Sequence, residues 1–195
     1  VPPNLRPPLD LVYASTHRFV DVPFMDSPHF DVRPGGLQDI DTLVIHAIAL
    51  PPDTFDTPWI DNLFCGTLDC DADPYFDQLR GLRVSAHLCI FRDGRCHQYV
   101  AFDQRAWHAG RSWFDGRPDV NDFSIGIEME GGDAHAFTDA QYARLVMVTR
   151  ALASHYPKLM PERIVGHADI APGRKTDPGP HFDWQRYLSA LEFGR

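Results

Sequence analysis

The run TLVIHAIAL, Thr42–Leu50, is a continuous stretch of β-branched and apolar residues that ends at Pro51-Pro52. A short unbroken apolar run of this kind reads as a strand covered on both faces. It therefore implies a sheet with other elements packed on each side, and it places His46 inside a buried strand.

The segments downstream supply the neighbours. In FSIGIEMEG, Phe123–Gly131, Ile125, Ile127 and Met129 alternate with Gly126, Glu128 and Glu130, so a strand here sets both glutamates on one face. RVSAHLCIF (Arg83–Phe91) and CHQYV (Cys96–Val100) flank an Asp93-Gly94 turn and predict an antiparallel hairpin. RIVGH is a last strand that delivers His167 at its end.

Helix signals lie between the strands. Pro58 opens a short helix that runs through about Cys65 and is closed by Gly66, and a second helical turn covers Tyr75–Leu79. Thr138 with Gln141 forms a capping box. The stripe Tyr142, Leu145, Val146, Thr149, Leu152, Ala153 and Tyr156 then marks a long helix ending near Pro157. Asp183 caps a C-terminal helix with Trp184, Tyr187, Leu188 and Leu191 on one side. The interleaving predicts a mixed α/β (α+β) fold, a central mixed sheet flanked by helices.

At 195 residues and 44% hydrophobic, the chain suits one well-buried core. Residues 1–38, rich in proline and without sustained periodicity, read as an irregular segment packed on a domain that spans 39–195. A formal charge of -9 with no Lys/Arg-rich run argues against nucleic acid or an anionic membrane as partner, and favours a small substrate.

No apolar run has the length to span a bilayer, and VPPNLRPPLD at the N-terminus carries neither a basic n-region nor an apolar h-region. Cys65, Cys70, Cys89 and Cys96 contain no C-x-x-C pair and read as reduced structural thiols, with Cys65/Cys70 and Cys89/Cys96 as the alternative disulfide pairs. Together these features give the expectation of a soluble, cytoplasmic protein.

The segment GHADIAPGRKTDPGP, Gly166–Pro180, is a loop stiffened by Pro172, Pro178 and Pro180. Loops held on a scaffold often carry function. Asp177 on this loop, with His46 and His167 from buried strands, makes a three-ligand set for zinc that leaves a fourth position for water. The competing reading is of core histidines satisfied by hydrogen bonds. Similarly, Glu128 reads as a candidate base, with a solvated strand face as the other reading of Glu128 and Glu130, and Lys175 alone reads as a surface lysine.

From about Phe30 onward, the segments VIHAIALPP, FCGTLDCDADPYF, LRVSAHLCIFRDG, QYVAFDQRAWHAG, NDFSIGIEMEG, FTDAQY and GHADIAPGRKTDPGP closely resemble the zinc-dependent N-acetylmuramoyl-L-alanine amidases. The resemblance is to the AmpD branch, whose fold is shared with peptidoglycan recognition proteins and which acts on 1,6-anhydromuramyl peptides in cytoplasmic peptidoglycan recycling.

It implies one zinc held by His46, His167 and Asp177, with Glu128 as the catalytic carboxylate and Lys175 stabilising the developing oxyanion. It also implies an anhydromuropeptide substrate and, where muropeptides act as inducing signals, a limit on β-lactamase induction. The residues agree: a base must take a proton from the attacking water, and an inward-facing strand glutamate suits that task.

Further candidates have two readings each. His87 and His108 line a cleft or bond a metal ligand from behind, or else are structural. Trp107 offers a face to a sugar ring or belongs to the core; Arg83 and Asn121 bind the peptide's carboxylates and amides, or Arg83 is a surface charge. Arg83, Trp107, His108 and Asn121 form the expected substrate-binding set. Ala47, Ala49 and Pro118-Asp119 depart from residues common in the family, which bears on recognition of the peptide. Two other activities fit the same residues: a periplasmic or lytic amidase of intact murein, and a muropeptide-binding module without catalysis.

Overall fold

The computed structural model of the chain describes residues 11–12 and 16–191. Its centre is a five-stranded sheet of β1 (Thr42–Ile48), β2 (Leu88–Ile90), β3 (Cys96–Gln98), β4 (Ser124–Glu130) and β5 (Ile164–Gly166), in the order β5-β1-β4-β2-β3. β5, β1, β4 and β2 are parallel, and β3 runs antiparallel at the edge as the return arm of the hairpin from β2. The mixed sheet expected from the sequence is thus present.

The period-two pattern of the strands sorts side chains onto two faces. Leu43 and Ile45 of β1, Ile125, Ile127 and Met129 of β4, and Leu88 and Ile90 of β2 share one cluster with Leu145, Val148 and Leu152. Those last three lie on α2 (Asp139–His155), whose buried face keeps Tyr142, Leu145, Thr149 and Leu152 of the stripe read from sequence but takes Val148 and Ala151, with Val146 and Ala153 only half-buried. Replacing a fully buried leucine such as Leu145 with alanine costs about 2–5 kcal/mol.

On the opposite face, α1 (Trp59–Phe64) packs Ile60, Leu63 and Phe64 against Cys89, Phe91 and Tyr99. Val44 meets Ala109, Val120 and Phe123. Cover on both sides explains why β1 is apolar along its length. Two further helices, α3 (His167–Ile170) and α4 (Trp184–Ala190), complete the fold, α4 with Asp183 as its cap.

The capping box at Thr138 does more than start α2. Gln141 Oε1 accepts from the Thr138 N–H, while its Nε2 donates to the carbonyls of Ile90 and Glu130 at the ends of β2 and β4. A fully buried amide therefore ties the helix start to two strand ends.

Some expectations need revision. The strand read over Arg83–Phe91 is confined to Leu88–Ile90, because the Ser85 N–H donates to the Trp107 carbonyl instead of continuing the sheet. Leu188 is 38% exposed and stands outside the buried side of α4. Short strands form at Arg18–Phe19 and Phe30–Val32, the latter antiparallel to Gln104–Ala106, where hydropathy gave no signal. Cys65, Cys70, Cys89 and Cys96 are all free thiols.

Candidate active site

Three adjacent strands each bring one functional side chain to the same end of the sheet. His46 on β1 is the register partner of Glu128 on β4. On the other side of β1, Gly166 of β5 pairs with Ile45, so His167, the next residue and the first of α3, emerges beside His46. This adjacency closes a separation of 121 residues.

The loop after α3 returns Asp177 to the same point. The Ala168 N–H donates to the Asp177 carbonyl at 2.9 Å, and the N–H groups of Arg174 and Lys175 both donate to the Ala171 carbonyl at 3.1 Å. Pro178 is buried against Gly166, where a Cβ would stand 2.9 Å from Pro178 Cδ. Gly173 and Gly179 take positive φ of 75° and 86°, turns that glycine makes without strain.

His46 Nδ1 and His167 Nδ1 are 2.9 Å apart, and Asp177 Oδ2 lies 3.2 Å from the first and 3.1 Å from the second. The other nitrogen of His167, Nε2, is 3.1 Å from the Ala109 carbonyl, which only accepts. The proton of neutral His167 thus sits on Nε2, and Nδ1 offers a lone pair. Asp177 also offers a lone pair, so at most one hydrogen, on His46 Nδ1, is available for three close pairs. A cation satisfies all three atoms at once. Their spacing is near the ~3.3 Å edge of a tetrahedron with bonds of about 2.0–2.1 Å, and imidazole with carboxylate is a donor set zinc accepts. The residues fit the metal.

Electrostatics in the site follow from burial. Burial pulls His46 down to about 4, against the opposing effect of its hydrogen bond to Asp177. Desolvation raises the Asp177 carboxyl, but the adjoining imidazoles of His167 and His46 outweigh it and hold the group well below the usual carboxylate range. Glu128 is pushed far above that range, by burial first and the Asp177 charge second, with Lys175 pulling the other way. Its Oε2 is buried and has no hydrogen-bond partner. Glu130, on the same strand face, accepts the N–H groups of Asp56 and Arg92, each at 2.9 Å.

A cleft of about 290 Å³ exposes the assembly, lined by His46, His167 and Asp177 together with Glu128 and Lys175. One wall is apolar, with Phe64, Tyr75, Leu79 and Leu82. Lys175 is exposed and also borders a second groove with Gly131 and Asp133. The site therefore opens onto two adjoining recesses.

The four expected substrate-binding residues fall in different places. Trp107 and His108 line the cleft, and the Trp107 ring stacks on His29 with centroids 6.0 Å apart. Arg83 lines a neighbouring depression with Leu79 and Leu82. Asn121 turns its Oδ1 to the N–H groups of His108 and Ala109, at 3.1 and 2.8 Å, and so holds the backbone of the loop that carries His108. His87 is fully buried, where its Nδ1 accepts from the Gly126 N–H.

Sequence reading missed Arg33. It is 2% exposed, and its guanidinium donates to the carbonyls of Phe102, Asn121, Asp122 and Ser124. Burial lowers it to about 10. Nothing in the local sequence distinguishes it from a surface arginine.

Comparison with known proteins supplies the chemical context. The profile of the N-acetylmuramoyl-L-alanine amidase family matches residues 36–180. The 1,6-anhydro-N-acetylmuramyl-L-alanine amidase AmpD of Escherichia coli is 57% identical over 161 residues, covering 83% of this chain and 87% of that protein. A crystal structure of a selenomethionine derivative of AmpD superposes with a TM-score of 0.88 at 50% identity, over 92% of this chain and 99% of the other. The E. coli amidase AmiD, solved with the substrate anhydro-N-acetylmuramic acid-L-Ala-D-gamma-Glu-L-Lys, is 32% identical with a TM-score of 0.58, over 78% of this chain and 57% of that one.

Proposed function

We infer the function from one premise: the chain belongs to the N-acetylmuramoyl-L-alanine amidase family, within its AmpD type. It is an amidase that hydrolyses the bond between 1,6-anhydro-N-acetylmuramic acid and the L-alanine of a stem peptide. The observation that supports a catalytic role, beyond mere binding, is the buried and unpartnered Glu128 Oε2 in the cleft where His46, His167 and Asp177 converge.

His46, His167 and Asp177 would hold one zinc ion. When bound, zinc supplies Lewis acidity to the scissile carbonyl and makes water a better nucleophile near neutral pH. The chain's own groups do the rest. Glu128 in its ionised form takes a proton from the attacking water, and its burial, which favours the protonated form, holds that proton until it is returned to the departing alanine nitrogen. Lys175, two residues before Asp177, places its ammonium at the cleft where the carbonyl oxygen gains charge. The apolar wall and the face of Trp107 receive the uncharged parts of the substrate, and Arg83 at the adjoining depression receives a stem carboxylate.

The substrate is the soluble anhydromuropeptide of cytoplasmic recycling. No described helix is long and apolar enough to cross a membrane, and the four free thiols suit a reducing compartment. In an organism that reads muropeptides as inducing signals, this activity lowers β-lactamase induction. The experiment compares the zinc-loaded protein on anhydromuramyl peptides and on intact sacculi, with released peptide measured by mass spectrometry. Faster turnover of the soluble substrate is expected; preference for sacculi would favour a lytic amidase, and no release from either would favour a binding module.

A further inference from the structure

Behind His46, a row of hydrogen bonds runs away from the cleft and ends on a strand hydroxyl. His46 Nε2 lies 2.9 Å from His108 Nδ1, and His108 Nε2 lies 3.1 Å from Ser124 Oγ. His46, His108 and Ser124 are all buried. The two imidazoles meet edge to face with centroids 5.0 Å apart.

The surroundings are shaped for this row. A Cβ at Gly126 would stand 2.4 Å from His108 Cγ, so a side chain at that position on β4 displaces the ring. The backbone is pinned at both ends: Asn121 Oδ1 accepts the His108 N–H at 3.1 Å, and Arg33 Nη2 donates to the Ser124 carbonyl at 2.6 Å.

Tautomers follow from these contacts. If Nδ1 of His46 presents a lone pair beside His167 and Asp177, its proton sits on Nε2 and is donated to His108 Nδ1. His108 then carries its own proton on Nε2 and donates it to Ser124 Oγ. We propose that His108, braced by Ser124, is a positioning residue that fixes the tautomer and ring orientation of His46 for metal binding. This rests on the zinc site proposed above. His167 has a simpler brace, because the Ala109 carbonyl can only accept. A histidine used as acceptor carries its proton on the other nitrogen, and the buried Ser124 hydroxyl oxygen is placed to accept it.

The rival role for His108 is contact with substrate, since it borders the cleft. Two substitutions separate the roles. His108→Asn keeps an acceptor near the place of Nδ1, whereas His108→Leu keeps volume and removes the acceptor. The measurement is the zinc dissociation constant by chelator competition for wild type, both variants and Ser124→Ala, with KM of the zinc-saturated proteins and thermal midpoints of the metal-free ones.

Loss of a partner behind a ligating histidine typically weakens metal binding about 10- to 100-fold. That loss is expected in His108→Leu, a smaller one in the same direction in Ser124→Ala, and near wild-type affinity in His108→Asn, with KM unchanged throughout. Wild-type affinity in His108→Leu would overturn the proposal, as would equal losses in the Asn and Leu variants, which signify packing. Raised KM at unchanged zinc affinity would make His108 a substrate contact. Wild-type affinity in Ser124→Ala would remove Ser124 from the assignment. Wild-type protein that binds no zinc would overturn the metal reading itself, and this proposal with it.

Discussion

Glu128 and Glu130 stand two residues apart on one face of β4, yet only Glu130 has its carboxylate occupied. It accepts the N–H groups of Asp56 and Arg92, while Oε2 of Glu128 is buried without a partner in the cleft. Glu130→Gln replaces a double acceptor by a group with one acceptor atom and should cost stability, about 2–3 kcal/mol, with kcat within a few-fold of wild type. Urea unfolding together with steady-state kinetics checks this. A large fall in kcat in folded, zinc-loaded Glu130→Gln would mean the two glutamates share the chemistry.

The convergence of His46, His167 and Asp177 gives a prediction about metal content. Wild type should hold about one zinc per chain, and His46→Ala, His167→Ala and Asp177→Ala should each lose it, because a three-ligand site rarely survives removal of a ligand. Elemental analysis after dialysis decides. Full occupancy in all three variants would mean that other residues bind the ion.

Lys175 should act mainly in the transition state. Lys175→Ala is expected to lower kcat by about a hundred- to a thousand-fold, as for loss of one oxyanion donor, with a much smaller change in KM. Zinc content is measured alongside, because Lys175 is close to Asp177 in the chain. A raised KM with unchanged kcat would make the lysine a ground-state binder of a substrate carboxylate.

Buried histidines set the pH response of the metal-free protein. His46 titrates at about 4 when folded, against ~6.5 in an unfolded chain. The unfolded state binds more protons between those values, so stability falls as pH drops through that window. His87 and His108 are also held well below their ordinary value, chiefly by burial, and add in the same direction. Glu128, raised instead of lowered, opposes them. Lowering of Asp177 acts only below its ordinary value near 3.8, outside this window. For His46 alone the loss at pH 5 is on the order of 2 kcal/mol. Thermal midpoints at pH 7.5 and pH 5 test this, and an unchanged or higher midpoint at pH 5 would contradict it.

The strands that carry the site were legible because each is a long apolar or alternating run: Thr42–Ile48 and Ser124–Glu130 appear where the pattern places them, as does the capped helix after Thr138. The proximity of His46 and His167 was not readable from spacing, since it depends on β5 pairing with β1, a choice made by the whole sheet. The resemblance to known amidases carried that part. Arg33 was invisible for a different reason. A buried arginine met by backbone carbonyls leaves no mark in the residue types around it. Likewise, Asn121 as a brace for the His108 backbone and Gly126 as the space for its ring are consequences of loop packing that hydropathy does not encode.

The central claim, that Glu128 moves the proton in amide hydrolysis at a site held by His46, His167 and Asp177, is tested most directly by Glu128→Gln. Both it and wild type are loaded with zinc, checked for equal metal content and fold, and given an anhydro-N-acetylmuramyl peptide, with free peptide quantified by mass spectrometry. The account predicts release of a peptide beginning with L-alanine by wild type, and a rate lower by about a hundred- to ten-thousand-fold in Glu128→Gln at equal zinc. Wild-type turnover by the zinc-loaded variant would contradict it.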